Sequence, residues 1–142
     1  MNSDYTIQLA SWESYGDALR YIRERVFLDE QHVPEELELD GLDDGSDHLL
    51  ASDMKGRPIG TARLLPDGQI GRVAVLPEWR SHGIGSVLLD RLIDIAREHG
   101  LKQVKLDAQE QAIRFYEQHG FTIEGEEFLD AGIPHRRMTM EL

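Results

Sequence analysis

Residues 5–9 alternate apolar and polar positions and predict a short first strand. Between residues 15 and 29 the apolar Tyr15, Leu19, Ile22 and Val26 recur at helical spacing, with Ser14 and Asp17 placed as a capping pair. Pro34 prevents that helix from running on. Residues 48–54 and 58–65 read as two strands joined at Lys55-Gly56-Arg57, and Pro66-Asp67-Gly68 turns the chain into a third run over 69–76. Three strands with tight turns predict an antiparallel meander. The second half predicts a helix over 83–98, its stripe formed by Ile84, Leu88, Leu92 and Ile95 and its end marked by Gly100. A strand over 102–107 follows, then a helix over 110–119 closed by Gly120, a strand over 121–128, a turn at Asp130-Ala131-Gly132 and a last strand over 135–141. Helices set among strands predict a mixed, mostly antiparallel central sheet with flanking helices, one α/β domain spanning residues 1–142.

Composition narrows the function. The chain of 142 residues has no cysteine, which excludes a thiol nucleophile, a disulfide framework and Cys-ligated zinc. No apolar run reaches the ~18 residues of a membrane span, and the N-terminus lacks the basic-then-apolar run of a signal peptide, so a cytoplasmic protein with no membrane partner is expected. A net charge of −12 argues against nucleic-acid binding. That charge is uneven. Residues 29–47 hold nine acids and no Lys or Arg, whereas residues 57–91 hold five Arg against Asp67, Glu78 and Asp90. The second region can hold an anion. The first reads foremost as a solvated loop kept soluble by its charge, and alternatively as a funnel for a cationic amine. Asp40, Asp43 and Asp44 lack the alternating ligands of a calcium loop, and the histidines lack His-x-x-x-His spacing, so no metal is expected.

Chemistry concentrates in Val73-Ala74-Val75-Leu76-Pro77-Glu78-Trp79-Arg80-Ser81-His82-Gly83-Ile84-Gly85: a strand, a loop and a long helix. Gly83 and Gly85 let backbone approach a ligand, the first-turn amides of the helix favour an anion, and Arg80 supplies a planar cationic fork. The glycines equally suit a plain tight turn. The segment lacks the full dinucleotide pattern and the Gly-Lys-Ser/Thr ending of a Walker A loop. A second segment, Ala112-x-x-Phe115-Tyr116-x-x-x-Gly120-Phe121, places a Tyr on a short amphipathic helix. That Tyr is either a core or rim residue or a proton donor.

Together these two motifs resemble the GNAT superfamily of acyl-CoA-dependent N-acetyltransferases, over nearly the whole chain. Arg23-x-x-Val26-Phe27, Glu30-Gln31-x-Val33-Pro34, Asp40-x-x-Asp43, His48-Leu49-Leu50 and Gly132-Ile133-Pro134-His135 look like its ElaA-like branch. The resemblance implies acetyl-CoA as co-substrate. Its pantetheine arm would pair with the strand at Val73, Ala74 and Val75. Its pyrophosphate would rest on the loop amides from Arg80 through Ser81, His82, Gly83, Ile84 and Gly85, with Ser86 beside them. Gln109 stands where many relatives carry Asn and would contact the arm. Tyr116 would be the general acid, and a backbone N–H near Val75 would hold the oxyanion.

The acceptor implied is a primary amine of a small molecule or peptide, of cationic type if the acidic stretch guides it. An ammonium with pKa near ~10 must lose a proton before attack. Relatives often carry an acid on the strand at 69–75, where this chain has Gln69 and Arg72. Glu30, His48 and His135 are the remaining candidate bases, each with an ordinary reading as a salt-bridge, packing or turn residue. Two rival functions stand beside this one. Arg23, Phe27, Asp40, Asp43 and Arg63 also resemble acyl-homoserine-lactone synthases, and a GNAT-like module can bind acyl-CoA as a sensor without turnover. Edge strands leave a homodimer open.

Overall fold

The structure, a computed structural model, describes residues 4–142. The alternating runs form β1 (Tyr5–Leu9), β2 (Asp47–Asp53), β3 (Pro58–Leu64) and β4 (Gln69–Val75), each antiparallel to the next. Next to β4 lies β5 (Gln103–Gln109), in parallel, and β8 (Ile133–Glu141) pairs with β5 along its length. Two short strands, β6 (Thr122–Ile123) and β7 (Phe128–Asp130), share the outer edge of β8. The sheet order is β1-β2-β3-β4-β5-β8-β6. The strand expected over 121–128 is thus broken. Phe121 is buried, and Gly125 turns the chain at φ 84 between the two fragments.

Helices cover both faces. Leu49 and Ala51 pack beneath α3 (Ile84–Glu98) with Leu88, Leu89 and Leu92, while Leu50 points to the opposite face, where Leu19 and Ile22 of α1 (Trp12–Arg23) cover it. Successive strand residues therefore both find a core, which is why β2 and β3 are buried almost throughout. The capping pair expected at Ser14 and Asp17 does not form. Ser11 is the N-cap, its hydroxyl accepting from the Ser14 amide at 3.1 Å. With that start, Tyr15 is 38 % exposed, and Trp12 and Ala18 pack on the core instead.

Two irregularities shape the site. After Arg23 the helix widens into a π-helical segment, Glu24–Glu30, rather than continuing as α-helix to residue 29. The short α2 (Glu35–Glu38) follows Pro34. In β4 the register against β3 slips by one residue between Thr61↔Ala74 and Arg63↔Gly71, and Arg72 adopts φ 52. Such a bulge bends the strand that carries it. Pairing of β4 with β5 consists of Gln69↔Lys105 and Ile70↔Leu106, and beyond those residues the two strands part. The helix expected over 110–119 begins as a 3₁₀ turn, Glu110–Ala112, and continues as α4 (Ile113–Gln118).

Candidate active site

The parted strands enclose a cleft of about 440 Å³. The π segment supplies Phe27, Glu30 and Gln31, the β4 bulge supplies Gly71, Arg72 and Val73, and Asp107, Gln109, Tyr116 and His135 close the opposite wall. The structure thus brings Val73, Arg80, Gln109, Tyr116, Glu30 and His135 around one space. Ala74 is buried under α1 instead, and Val75 packs against the main core. Beyond Ile70, the side of β4 facing β5 has no ladder partner. An amide-bearing chain could pair there.

The start of α3 has the form of an anion cradle. Gly83, its N-cap, sits at φ 79 with no side-chain cap, and Ser81 is at φ 67. Uncapped first-turn amides favour negative charge. A Cβ at Gly83 would meet nothing within 4 Å, so the backbone conformation alone favours glycine there and the space beside it is open. Gly85 serves differently. Its Cβ position lies 3.7 Å from the Phe115 ring, in ordinary contact with α4. Ile84 is buried, leaving only its backbone for a ligand. His82 donates from Nδ1 to the carbonyls of Trp79 and Arg80 at 3.1 and 3.0 Å, which tightens the loop. Ser86 Oγ lies 3.2 Å from His119 Nε2, and His119 donates from Nδ1 to Asp90 at 2.9 Å.

Arg80 does not stand free. Nη1 and Nη2 each donate to a Glu30 carboxylate oxygen at 2.7 Å, and Nε donates to the Val75 carbonyl at 3.0 Å. Hydrogen bonding from Arg80 holds Glu30 below its ordinary pKa despite some burial. A carboxylate bound to a guanidinium in this way is a weak proton acceptor, which weighs against Glu30 as the base. His48 is excluded by position. It is buried, donates from Nε2 to the Asp43 carbonyl at 2.9 Å, and does not line the cleft.

His135 is 8 % exposed and donates from Nδ1 to the Ile133 carbonyl at 2.7 Å, so Nε2 is the acceptor side of its ring. Phe128 stacks on it at 5.9 Å. His135 faces Gln109 in the β5–β8 register. Gln109 donates to Gln31 Oε1 at 2.8 Å and accepts from Gln111 at 2.6 Å, tying the π segment to β5. Tyr116 packs edge-on against Phe115 and Phe121. Burial pushes its phenol up to about 12, and its hydroxyl has no hydrogen-bond partner among the described residues.

The acetyltransferase (GNAT) domain profile matches residues 4–142. The chain belongs to the GNAT family. It is 42 % identical over 130 residues to an uncharacterised N-acetyltransferase of Bacillus subtilis, YjcF, covering 89 % of this chain and 91 % of that one. Escherichia coli ElaA has the same fold at 28 % identity, with a TM-score of 0.84 and coverage of 96 % and 99 % of the two chains. A GNAT acetyltransferase of Elizabethkingia anophelis, solved with acetyl-CoA bound, shares the fold at 21 % identity and a TM-score of 0.72, over 99 % of this chain and 100 % of that one. The protein is therefore a GNAT acyltransferase, with the fold that such enzymes use for acetyl-CoA. The open edge of β4 and the αL glycine at the helix start fit an amide-bearing arm and a diphosphate. Among the described residues no helix is long and apolar enough to cross a membrane.

In this GNAT enzyme the acidic stretch is a solvated loop only in part: Asp29, Glu35, Glu36 and Asp44 are exposed, but other acids of the stretch are drawn into an ionic network. Glu38 and Asp43 are buried, and so are Arg23 and Arg63. Arg23 donates to Glu38 at 2.6 Å and to Asp43 at 2.7 Å, Arg63 to Asp40 at 2.8 Å and Asp43 at 3.1 Å, and Arg72 to Glu38 at 3.0 Å. Burial would raise the Asp40 pKa, but hydrogen bonds from Arg63 and the Leu42 amide, with the charges of Arg63 and Arg72, bring it to about 2. The sequence carried one sign of this network. Arg23 sits beside Ile22 in the buried stripe of α1, where a lone cation needs an acid from elsewhere. Of the residues that resembled lactone synthases, Arg23, Asp40, Asp43 and Arg63 belong to the network and not to the cleft lining, whereas Phe27 lines the cleft. Glu38 and Arg72 join the two.

Proposed function

We propose that the chain, acting as one domain, transfers the acetyl group of acetyl-CoA directly to a primary amine of a small molecule or peptide. The observation that carries this reading is the meeting of an unpaired β4 edge, an unpartnered phenol and a histidine acceptor around one cleft.

The amine must enter neutral, or lose its proton in the site, because an alkyl ammonium has a pKa near ~10. His135 takes that proton at Nε2, with Nδ1 pinned to the Ile133 carbonyl. The amine nitrogen attacks the thioester carbon and forms the C–N bond. The oxyanion is held by a backbone amide at the open edge of β4 near Val75. The C–S bond then breaks as the oxyanion collapses, Tyr116 gives its proton to the departing sulfur, and the second proton that the nitrogen sheds as the amide forms restores the phenol. With its phenol at about 12, Tyr116 stays protonated at neutral pH, as a donor must. The first-turn amides of α3 hold the diphosphate and Gln109 contacts the arm.

Release of free CoA from acetyl-CoA across polyamines, amino acids, aminoglycosides and N-terminal peptides tests the reading. Turnover with at least one amine is expected. CoA binding without turnover on any of them would make the protein an acyl-CoA sensor.

A further inference from the structure

Arg80 and Glu30 meet at the mouth of the cleft, each contributing to its lining. Arg80 opens the loop that leads to Ser81 and Gly83, whereas Glu30 ends the π segment on the other wall. Their pair is bidentate, with both contacts at 2.7 Å. A guanidinium fork gives its two parallel N–H groups to one carboxylate or one phosphate at a time. Both side chains are 42 % exposed, so the pair is weakly held and open to exchange.

The remaining acids of the cleft differ. Glu38 is engaged by Arg23 and Arg72, and Asp107 by Arg137. Asp130, in β7, is exposed as Glu30 is, but among the described residues it has no ion pair for an arriving anion to break. Once Arg80 turns to another anion, Glu30 is a cleft carboxylate with no cation beside it among the described residues.

We infer that Glu30 is a cofactor-gated anchor for a cationic acceptor. The CoA diphosphate competes with Glu30 for Arg80, and its arrival releases the Glu30 carboxylate to receive the acceptor's ammonium group. The inference rests on the acetyl-CoA reading above and adds an order to it: the thioester first, the cation second. Coupling of this kind is reciprocal, so a bound cationic acceptor also raises affinity for CoA. Glu30 is a specificity residue here and takes no proton.

Calorimetry with coenzyme A tests the competition. Glu30→Gln keeps the side-chain shape and removes the rival charge, and should tighten CoA binding by roughly two- to fivefold, the scale of an exposed ion pair. Removing any acid near a polyanion could have the same sign, so the decisive comparison is a double-mutant cycle. In an Arg80→Gln background, Glu30→Gln should leave CoA affinity unchanged. An equal tightening in both backgrounds, or none in the wild-type background, overturns the competition. For an amine of the panel that turns over, Glu30→Gln should raise the amine KM more than it lowers kcat. An unchanged amine KM overturns the anchor. Wild-type protein that does not bind CoA would instead remove the acetyl-CoA reading itself.

Discussion

Arg72 donates from Nε to Glu38 Oε2 at 3.0 Å and from Nη2 to the Glu38 carbonyl at 2.7 Å, so the bulged residue of β4 is clamped to the end of α2. A non-glycine residue at φ 52 is uncommon and strained, and it persists where its surroundings fix it. Glu38 also receives Arg23 at 2.6 Å, so one carboxylate serves two arginines. Glu38→Ala should therefore destabilise the fold by about 3 kcal/mol, because it leaves a buried cation short of a partner. Glu38→Gln should cost less. Urea denaturation followed by circular dichroism measures both.

Acid should unfold the protein in two stages. Desolvation keeps the His48 pKa below its ordinary value, so the unfolded chain takes that proton first and stability begins to fall as pH drops through 6.5. Asp40 is lowered from 3.8 to about 2, so its contribution is complete above about 4 and is lost as pH falls between those values. Asp43 is lowered as well, with hydrogen bonds and charge from Arg23 and Arg63 outweighing its burial. The urea midpoint measured from pH 8 to pH 2 should show both declines, and His48→Gln should remove the upper one.

Tyr116→Phe removes the donor and keeps the ring packed against Phe115 and Phe121. Turnover should drop by roughly 10- to 10⁴-fold, the range of general acid catalysis, with acetyl-CoA affinity near wild type. An unchanged kcat would take Tyr116 out of the mechanism.

Gly83 and Gly68 should respond differently to substitution. At Gly83 a Cβ has open space, so Gly83→Ala should cost only about 1 kcal/mol of conformational strain. Gly83→Trp fills that space and should abolish CoA binding by calorimetry. At Gly68 the backbone is at φ 95, and a Cβ would lie 2.7 Å from the Gln103 carbonyl oxygen, a backbone atom that cannot move aside cheaply. Gly68→Ala should lower the melting temperature clearly more than Gly83→Ala does.

Sequence alone exposed the parts that are local. The turn from β4 into α3 and the Tyr116 helix are short continuous segments whose residue types carry their own conformational and chemical reasons. His135 and Gln109 become neighbours only through the β5–β8 register, which no short segment encodes. The ionic network joins Arg23, Glu38, Arg63 and Arg72 across distant parts of the chain, so composition showed the acids without their partners. The π segment leaves no mark in the pattern, because the spacing of Leu19, Ile22 and Val26 suits an α-helix equally well. The apolar residues over 121–128 predict one continuous strand, and Gly125, at positive φ, breaks it.

The seam between β4 and β5 is two rungs long, whereas the ladders on either side of it are longer. Backbone continuity across the sheet thus narrows to Gln69 and Ile70, with the side chains beneath α3 as the other join. The molecule is built like a clothes-peg whose spring is the packing under α3, and the tilt between its jaws sets the width available to whatever lies between them.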